Sequence, residues 1–252
     1  MDIGRRGFVG MAGGAAIGLV AAPALAAPGG IKAAAFDGLV VFDVRGVAAA
    51  AGRLFGERAA PLVQAWRTRQ FEYTWLRSLT GRYADFLTVT DDALTFAAAS
   101  VGIDVAPSQR RTLMEGFLAL DAWPDAAPGL RRLKEAGLRT ALLTNFSPRM
   151  IDANLRHAGL EALFDHRLST DAVAAYKPHP RAYQLGVDAF GLASSEILFV
   201  ASAGWDASGA AAFGYPTHWT NRPGLPPEEI GPKAATVSAG MPDLDLVQRV
   251  RS

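Results

Sequence analysis

The chain has no cysteine among its 252 residues. That absence excludes disulfides, thiolate metal sites and a cysteine nucleophile, and it fits a reducing or an oxidising compartment equally well. An excess of charge of one sign is missing too. Its 25 basic and 24 acidic residues leave a net charge of +1, so no global field points to nucleic acid. Basic residues are interleaved with acids, as in Arg131-Arg132-Leu133-Lys134-Glu135, the pattern of a solvated helix face. Internal repeats, low-complexity tracts and the signature of a second sheet are also absent. A hydrophobic share of 50% over this length supports one sizeable core, or a core with an inserted subdomain.

Nor is there a long unbroken apolar span. The run Met11 to Ala22 is short and rich in Gly and Ala, too weak for a stable membrane-spanning helix. Arg5-Arg6-Gly7-Phe8-Val9 precedes it and Pro23-Ala24-Leu25-Ala26-Ala27 follows, the order of an export signal ending in an A-x-A site. The paired arginines point to the twin-arginine route. Residues 1–26 are therefore expected to be a leader, with a periplasmic or secreted mature chain and no stable membrane span after cleavage. An uncleaved anchor and an upstream start codon, the latter implying a cytoplasmic protein, are the competing readings.

What the chain does have begins at Ile31-Lys32-Ala33-Ala34-Ala35-Phe36, a short apolar run that ends in Asp37 and Gly38. As a buried strand it would deliver the Asp37 carboxylate to the strand's C-terminal edge, where open α/β sheets place their ligands. Taken alone, Asp37 is better explained by a turn or capping bond. Helical patterns follow at Val47 to Phe55, Pro61 to Thr80, Asp91 to Val101 and Pro107 to Leu120, with Asp91 and Asp92 suited to a first turn. Arg67, Phe71, Trp75 and Leu79 share one face of the second, with Trp66 and Tyr73 on an adjoining face. Residues 45–120 thus read as a helical insertion.

Beyond it the pattern alternates. Strands are expected at Leu138 to Thr144, His166 to Thr170, Ile197 to Ala201 and Thr217 to Thr220. Helices are expected at Gly129 to Ala136, Pro148 to Ala158, Arg181 to Phe190 and Asp206 to Phe213. Gly137, Gly159 and Gly191 follow helical runs as C-terminal caps do. Single helices between strands mean right-handed βαβ units and a parallel sheet, an α/β fold. The Pro- and Gly-rich tail after Asn221 closes with a short helical pattern, Leu244 to Val250.

Four polar clusters follow strands: Asp37; Thr144-Asn145 with Ser147; Lys177 in Tyr176-Lys177-Pro178; and Asp206 in Gly204-Trp205-Asp206. A parallel sheet gathers such residues into one crevice. Each has a bland explanation, with Ser147 and Pro148 starting a helix, Lys177 in a solvated loop and Asp206 as an N-cap. Together, with Asp before Lys before Asp, they point to one site.

This order, with a helical insertion after the first strand, resembles the haloacid dehalogenase superfamily. The block Trp66-Arg67-Thr68-Arg69-Gln70-Phe71-Glu72-Tyr73-Thr74-Trp75-Leu76-Arg77-Ser78-Leu79 narrows it. With Tyr176-Lys177-Pro178 and Trp205-Asp206-Ala207-Ser208-Gly209-Ala210, it looks like the type II (S)-2-haloacid dehalogenases, over roughly Ile31 to Arg222. The resemblance implies a Rossmann-like core, 27–44 and 121–252, with a helical cap at 45–120. It implies hydrolysis of a small anionic 2-haloalkanoate in two displacement steps, without cofactor or metal. Asp37 would attack C2 and form an ester, which water would then hydrolyse; a carboxylate is a nucleophile near neutral pH without help from a base. Arg67 matches the arginine that meets the leaving halide, although an arginine snorkelling at the edge of the apolar stripe reads the same way. Thr144 and Asn145 match contacts to the substrate carboxylate. Lys177 would balance charge around Asp37, and Asp206 would position or activate the water. Tyr183 matches a tyrosine lining the site, or belongs to the core; Phe71 and Trp205 complete the apolar lining. Aromatics on the cap must pack on something, which suits a homodimer, as the resemblance also implies.

Three positions depart from the pattern. The segment after Asp37 is one residue shorter, with Val41 where a threonine hydroxyl usually stands, and Ala201 and Ala203 replace a serine and an asparagine near the hydrolytic water. Those losses should weaken the second step more than the first. They also leave room for an exported, non-catalytic binding protein with a degenerate site. A phosphatase of the same superfamily is disfavoured by Leu39, where such enzymes carry a second Asp, and by the lack of an acidic pair beside Asp206.

Overall fold

Three alanines and a phenylalanine, Ala33–Phe36, form the central strand, and all four side chains are buried. Alanine leaves little bulk on either face, so helices can pack closely on both sides of the sheet. The structure is a computed structural model and describes residues 30–243 together with Asp245 and Val247. The expected leader lies outside the described residues, as does most of the expected helix from Leu244 to Val250.

The chain opens with β1 (Ala33–Phe36), α1 (Gly38–Val41) and β2 (Phe42–Asp43). Four long helices come next: α2 (Arg45–Phe55), α3 (Ala59–Thr80), α4 (Phe86–Ser100) and α5 (Pro107–Gly116). The chain returns through β3 (Asp121–Ala122), α6 (Ala126–Glu135), β4 (Arg139–Thr144), α7 (Pro148–Ala158) and β5 (His166–Ser169). It ends with α8 (Pro180–Phe190), β6 (Ile197–Ala201), α9 (Gly204–Phe213), β7 (Thr217–Thr220) and β8 (Thr236–Ser238).

Six strands form a parallel sheet in the order β5-β4-β1-β6-β7-β8. The crossovers from β1 therefore run to opposite sides, through β4 and through β6, and the C-terminal end of β1 is the switch point of the sheet. Helices flank it, and α2 to α5 form the helical cap, an α/β architecture as expected. Trp66 of α3 anchors the cap: its ring lies edge-on to Phe117 at 5.4 Å, and its indole N–H donates to the Thr90 carbonyl at 2.7 Å. Gly159 and Gly191 adopt φ of +65° and +61° as helix C-caps, a conformation that strains any residue with a Cβ.

Several expectations need correction. A second sheet exists, a two-residue antiparallel ribbon of β2 with β3 where the chain enters and leaves the cap. It is too short to carry an alternating pattern. β8 sits in the Pro- and Gly-rich tail and pairs with β7 through His218↔Thr236 to Thr220↔Ser238. Helix α4 begins five residues earlier than its expected Asp91 start because Asp85 caps it, its carboxylate accepting from the N–H groups of Leu87 and Thr88. Asp91 and Asp92 are thus beyond the first turn, and they pair with Arg110 and Arg77. Among the described residues no helix is long and apolar enough to cross a membrane.

The tail is fastened by Arg222. Its guanidinium donates to both oxygens of Asp125 at 2.8 and 3.1 Å, reaches the Val40 carbonyl at 3.3 Å and lies over the Trp123 ring. Asp125 also accepts from the Met241 N–H at 2.9 Å. Arg222→Ala is expected to destabilise the fold by about 1.5–3 kcal/mol in urea unfolding followed by tryptophan fluorescence. Arg222→Lys should recover only part of that, since lysine cannot form the two-pronged pair.

Candidate active site

The nucleophile candidate stands where β1 stops. The Asp37 N–H donates to the Val200 carbonyl at 2.9 Å, which holds the residue to the sheet. Its side chain caps α1 by accepting from the Leu39 N–H at 3.1 Å. Capping and site roles therefore coexist on one residue. The same Oδ2 accepts from the Ser202 hydroxyl at 2.6 Å, and Oδ1 accepts from Lys177 Nζ at 2.7 Å. The Leu39 N–H, the Ser202 hydroxyl and Lys177 together fix the orientation of the carboxylate.

Lys177 is fully buried. Its three ammonium donors go to Asp37 Oδ1 at 2.7 Å, Asp206 Oδ2 at 2.7 Å and the Leu143 carbonyl at 3.3 Å. Burial alone would lower its pKa, but the opposed charges of Asp206 and Asp37 outweigh that and hold it above the ordinary lysine value. Asp206 is also buried. Desolvation raises its pKa, Asp37 adds to the rise and Lys177 opposes it, and the carboxyl ends at about 6. Tyr183 donates to Asp206 Oδ1 at 2.8 Å; burial, with Asp206 close by, pushes its own pKa well above the usual phenol value. Asp206 lies in the first turn of α9, where the helix dipole favours a negative charge, but the N-cap is Ala203 rather than Asp206.

Thr144 ends β4, and its Oγ1 accepts from the Phe146 N–H at 3.2 Å. A Cβ on Gly38 would stand 2.7 Å from that oxygen and 3.2 Å from the Phe146 ring, so only glycine fits beside Asp37. The Asn145 side chain accepts from the Lys177 N–H at 3.1 Å and so holds the loop that carries the lysine. Ser147 caps α7 as expected, with Pro148 in its first turn.

The cap closes over this edge. Phe71 and Trp75 of α3 meet Trp205 of α9 edge-on, with centroids 5.6 and 5.5 Å apart. A cavity of about 120 Å³ lies between cap and core, bordered by Leu39, Val63, Trp66, Arg67, Phe71 and Phe146 among others. Arg67 is exposed and has neither an ion pair nor a hydrogen bond among the described residues. Leu79, expected on the same helix face, points to solvent with 83% of its surface exposed.

The structure thus links Asp37, Lys177, Asp206 and Tyr183 in one hydrogen-bonded chain, with Thr144 and Asn145 beside it. Arg67 and Phe71 stand across the cavity. Tyr183 is fully buried behind Asp206, and like Asp37, Thr144, Asn145 and Trp205 it is not among the residues that border that cavity. Ser202 was not among the residues singled out by the sequence. Its signal is position, a hydroxyl residue directly after β6 much as Thr144 closes β4. Val41 and Ala201 are wholly buried among apolar neighbours, so neither position leaves a polar group unmatched. Among the described residues no three His, Asp or Glu side chains are grouped to hold a metal ion. The space between the two carboxylates is filled by the Lys177 ammonium.

Residues 25–214 match the family described as haloacid dehalogenase-like hydrolase. The chain is 46% identical to an (S)-2-haloacid dehalogenase of Pseudomonas sp. (strain YL), covering 80% of this chain and 87% of that one. The crystal structure of an L-2-haloacid dehalogenase superposes with a TM-score of 0.84 at 42% identity, covering 88% of this chain and all of the other. The L-2-haloacid dehalogenase of Xanthobacter autotrophicus with chloropropionic acid covalently bound superposes with a TM-score of 0.79 at 34% identity, over 88% and 99% of the two chains.

Removing the shared cation tests the electrostatics. Lys177→Met leaves two buried carboxylates facing each other and is expected to destabilise the fold by about 3–5 kcal/mol at pH 7. In the variant, burial and like charge raise the folded-state pKa values, so stability is present at low pH and lost as pH rises through them. Urea unfolding should therefore show a larger deficit against wild type at pH 7 than at pH 5.

Proposed function

Because this chain belongs to the haloacid dehalogenase-like hydrolases and is a hydrolase acting on carbon–halide bonds, we propose that it hydrolyses small (S)-2-haloalkanoic acids through an ester on Asp37. The observation that carries this reading is the Asp37–Lys177–Asp206 chain, which offers a fixed anionic nucleophile beside a second carboxylate suited to handling water. In the first step an Asp37 oxygen forms a bond to C2 while the carbon–halide bond breaks and halide leaves with its electron pair. Arg67 is the one unpaired cation on the cavity wall and meets the departing anion. Thr144 and Asn145 stand where the substrate carboxylate reaches the sheet edge, and Phe71 and Trp205 keep the alkyl end dry.

In the second step water attacks the ester carbonyl of Asp37, with Asp206 accepting its proton. A pKa of about 6 leaves Asp206 ionised at neutral pH yet basic enough to act. The acyl carbon–oxygen bond breaks, the proton held by Asp206 passes to the departing alkoxide, the 2-hydroxy acid leaves and Asp37 keeps one oxygen from water. C2 is inverted once, so an S substrate gives an R product. Lys177 stays charged throughout and holds both carboxylates apart.

The full chain is expected to release halide from chloroacetate and (S)-2-chloropropionate, but not from the R enantiomer, with no metal added. Asp37→Asn should abolish release. With enzyme in excess in heavy-oxygen water, mass spectrometry should find one heavy oxygen on the Asp37 peptide. Label in the product with none on the protein would sink the ester mechanism. The sign of the pH dependence follows from Asp206: kcat should fall about tenfold per unit as pH drops below the pKa of Asp206 in the ester, which lies below the value of about 6 in the free protein because esterified Asp37 no longer adds its negative charge.

A further inference from the structure

The cavity between cap and core, bordered by Leu39 whose N–H holds Asp37, is small for a ligand site. Small-molecule pockets commonly span about 300–1,000 Å³, whereas this one holds about 120 Å³. An engineered apolar cavity of about 150 Å³ takes benzene, with six heavy atoms. On that scale the space here accepts about five. A haloacetate has one halogen, two carbons and two oxygens, and each further carbon on C2 adds an atom the cavity lacks room for.

Phe146 is the wall that sets this limit. It follows Thr144 and Asn145 at the sheet edge, is buried, and borders the cavity. Its ring packs against Gly38 on one side, within 3.2 Å of where a Cβ would stand. It stacks on Phe42 at 6.4 Å and meets Phe86 of the cap at 5.7 Å. The backbone is tied at both ends: its N–H donates to Thr144 Oγ1 at 3.2 Å, and its carbonyl accepts from Ser169 Oγ at 2.7 Å. With Gly38 closing one side and Phe86 the other, the ring cannot withdraw to admit a longer substrate.

We infer that Phe146 is the residue that fixes substrate size, and that the site is matched to two-carbon haloacetates over longer 2-haloalkanoates. The inference rests on the dehalogenase reading above. Overfilling an apolar pocket by one carbon should reduce kcat/KM by about 10- to 200-fold.

The test measures kcat/KM for chloroacetate, (S)-2-chloropropionate and (S)-2-chlorobutyrate with the full chain, with Phe146→Leu and with Val63→Ala, which enlarges the cavity from the cap side. Wild type should lose about tenfold or more at each added carbon. Both variants should shrink the gap between chloroacetate and chlorobutyrate by about tenfold, through faster turnover of the longer acid. Val63→Ala and the wild-type series decide the matter if Phe146→Leu proves unstable. A flat wild-type series, or folded variants with the wild-type ratio, would overturn the size limit and leave the dehalogenase reading standing. No halide and no protein-bound ester from any of the three acids would overturn both.

Discussion

One buried ammonium holds the site together. Lys177 lies between Asp37 and Asp206, 2.7 Å from each, and has no access to solvent. Burying an unpaired lysine would neutralise it, and burying two facing carboxylates would protonate one. The two carboxylates hold Lys177 charged, and Lys177 opposes the rise that burial imposes on Asp206. Such a buried group adds little net stability, since desolvation offsets most of the attraction. What it does is hold the Asp37 and Asp206 carboxylates a fixed distance apart. Three segments far apart in sequence are committed to this arrangement, and the loops around them follow: Asn145 holds the Lys177 backbone, Tyr183 holds Asp206, and Ser202 holds Asp37.

The tight space beside Asp37 follows from the same commitment. A short loop leads from β1 directly into α1, so Gly38 presses on Thr144 and Phe146. Val41 turns inward into the apolar core rather than back to the carboxylate. A hydroxyl at that position is therefore not what steadies Asp37 here. The steadying bonds come from the Leu39 N–H, supplied by the α1 turn, and from Ser202, one residue beyond β6. Polar support for Asp37 thus comes in part from the neighbouring strand end, which a parallel sheet permits because both ends open on the same edge.

Much of this was legible in the sequence where local chemistry dictates structure. Ile197–Ala201 and Thr217–Thr220 match their expected bounds because apolar runs with clear punctuation leave little choice. Pro148–Ala158 does too, with Ser147-Pro148 at one end and Gly159 at the other. What escaped was non-local or too short. The pairing of Phe42–Asp43 with Asp121–Ala122 and of Thr236–Ser238 with β7 depends on partners, not on pattern. The start of α4 escaped because two acids at Asp91 and Asp92 imitate a first turn, while the true cap, Asp85, sits ahead of Phe86. Ser202 shows the same limit at the site, since which carboxylate oxygen a hydroxyl reaches is decided only when strands are placed side by side.

The cap supplies what the sheet edge cannot. Two carboxylates and one lysine leave that edge with a net negative charge, a poor reception for an anionic substrate or a departing halide. The compensating charge must come from across the cavity, and Arg67 stands there with no carboxylate of its own. Trp66, Phe71 and Phe146 border the same cavity, so this exposed arginine is the unpaired charge on an otherwise largely apolar wall. The N-termini of α7 and α9 open on the same edge of the sheet and add fixed partial positive charge without adding a titratable group. On the proposed mechanism the nucleophile is held by the core and the leaving group is drawn by the cap. A displacement in line with that axis needs a cavity only as long as the substrate, and any slack would let the carbon drift from Asp37. Smallness and charge separation are two consequences of one geometry.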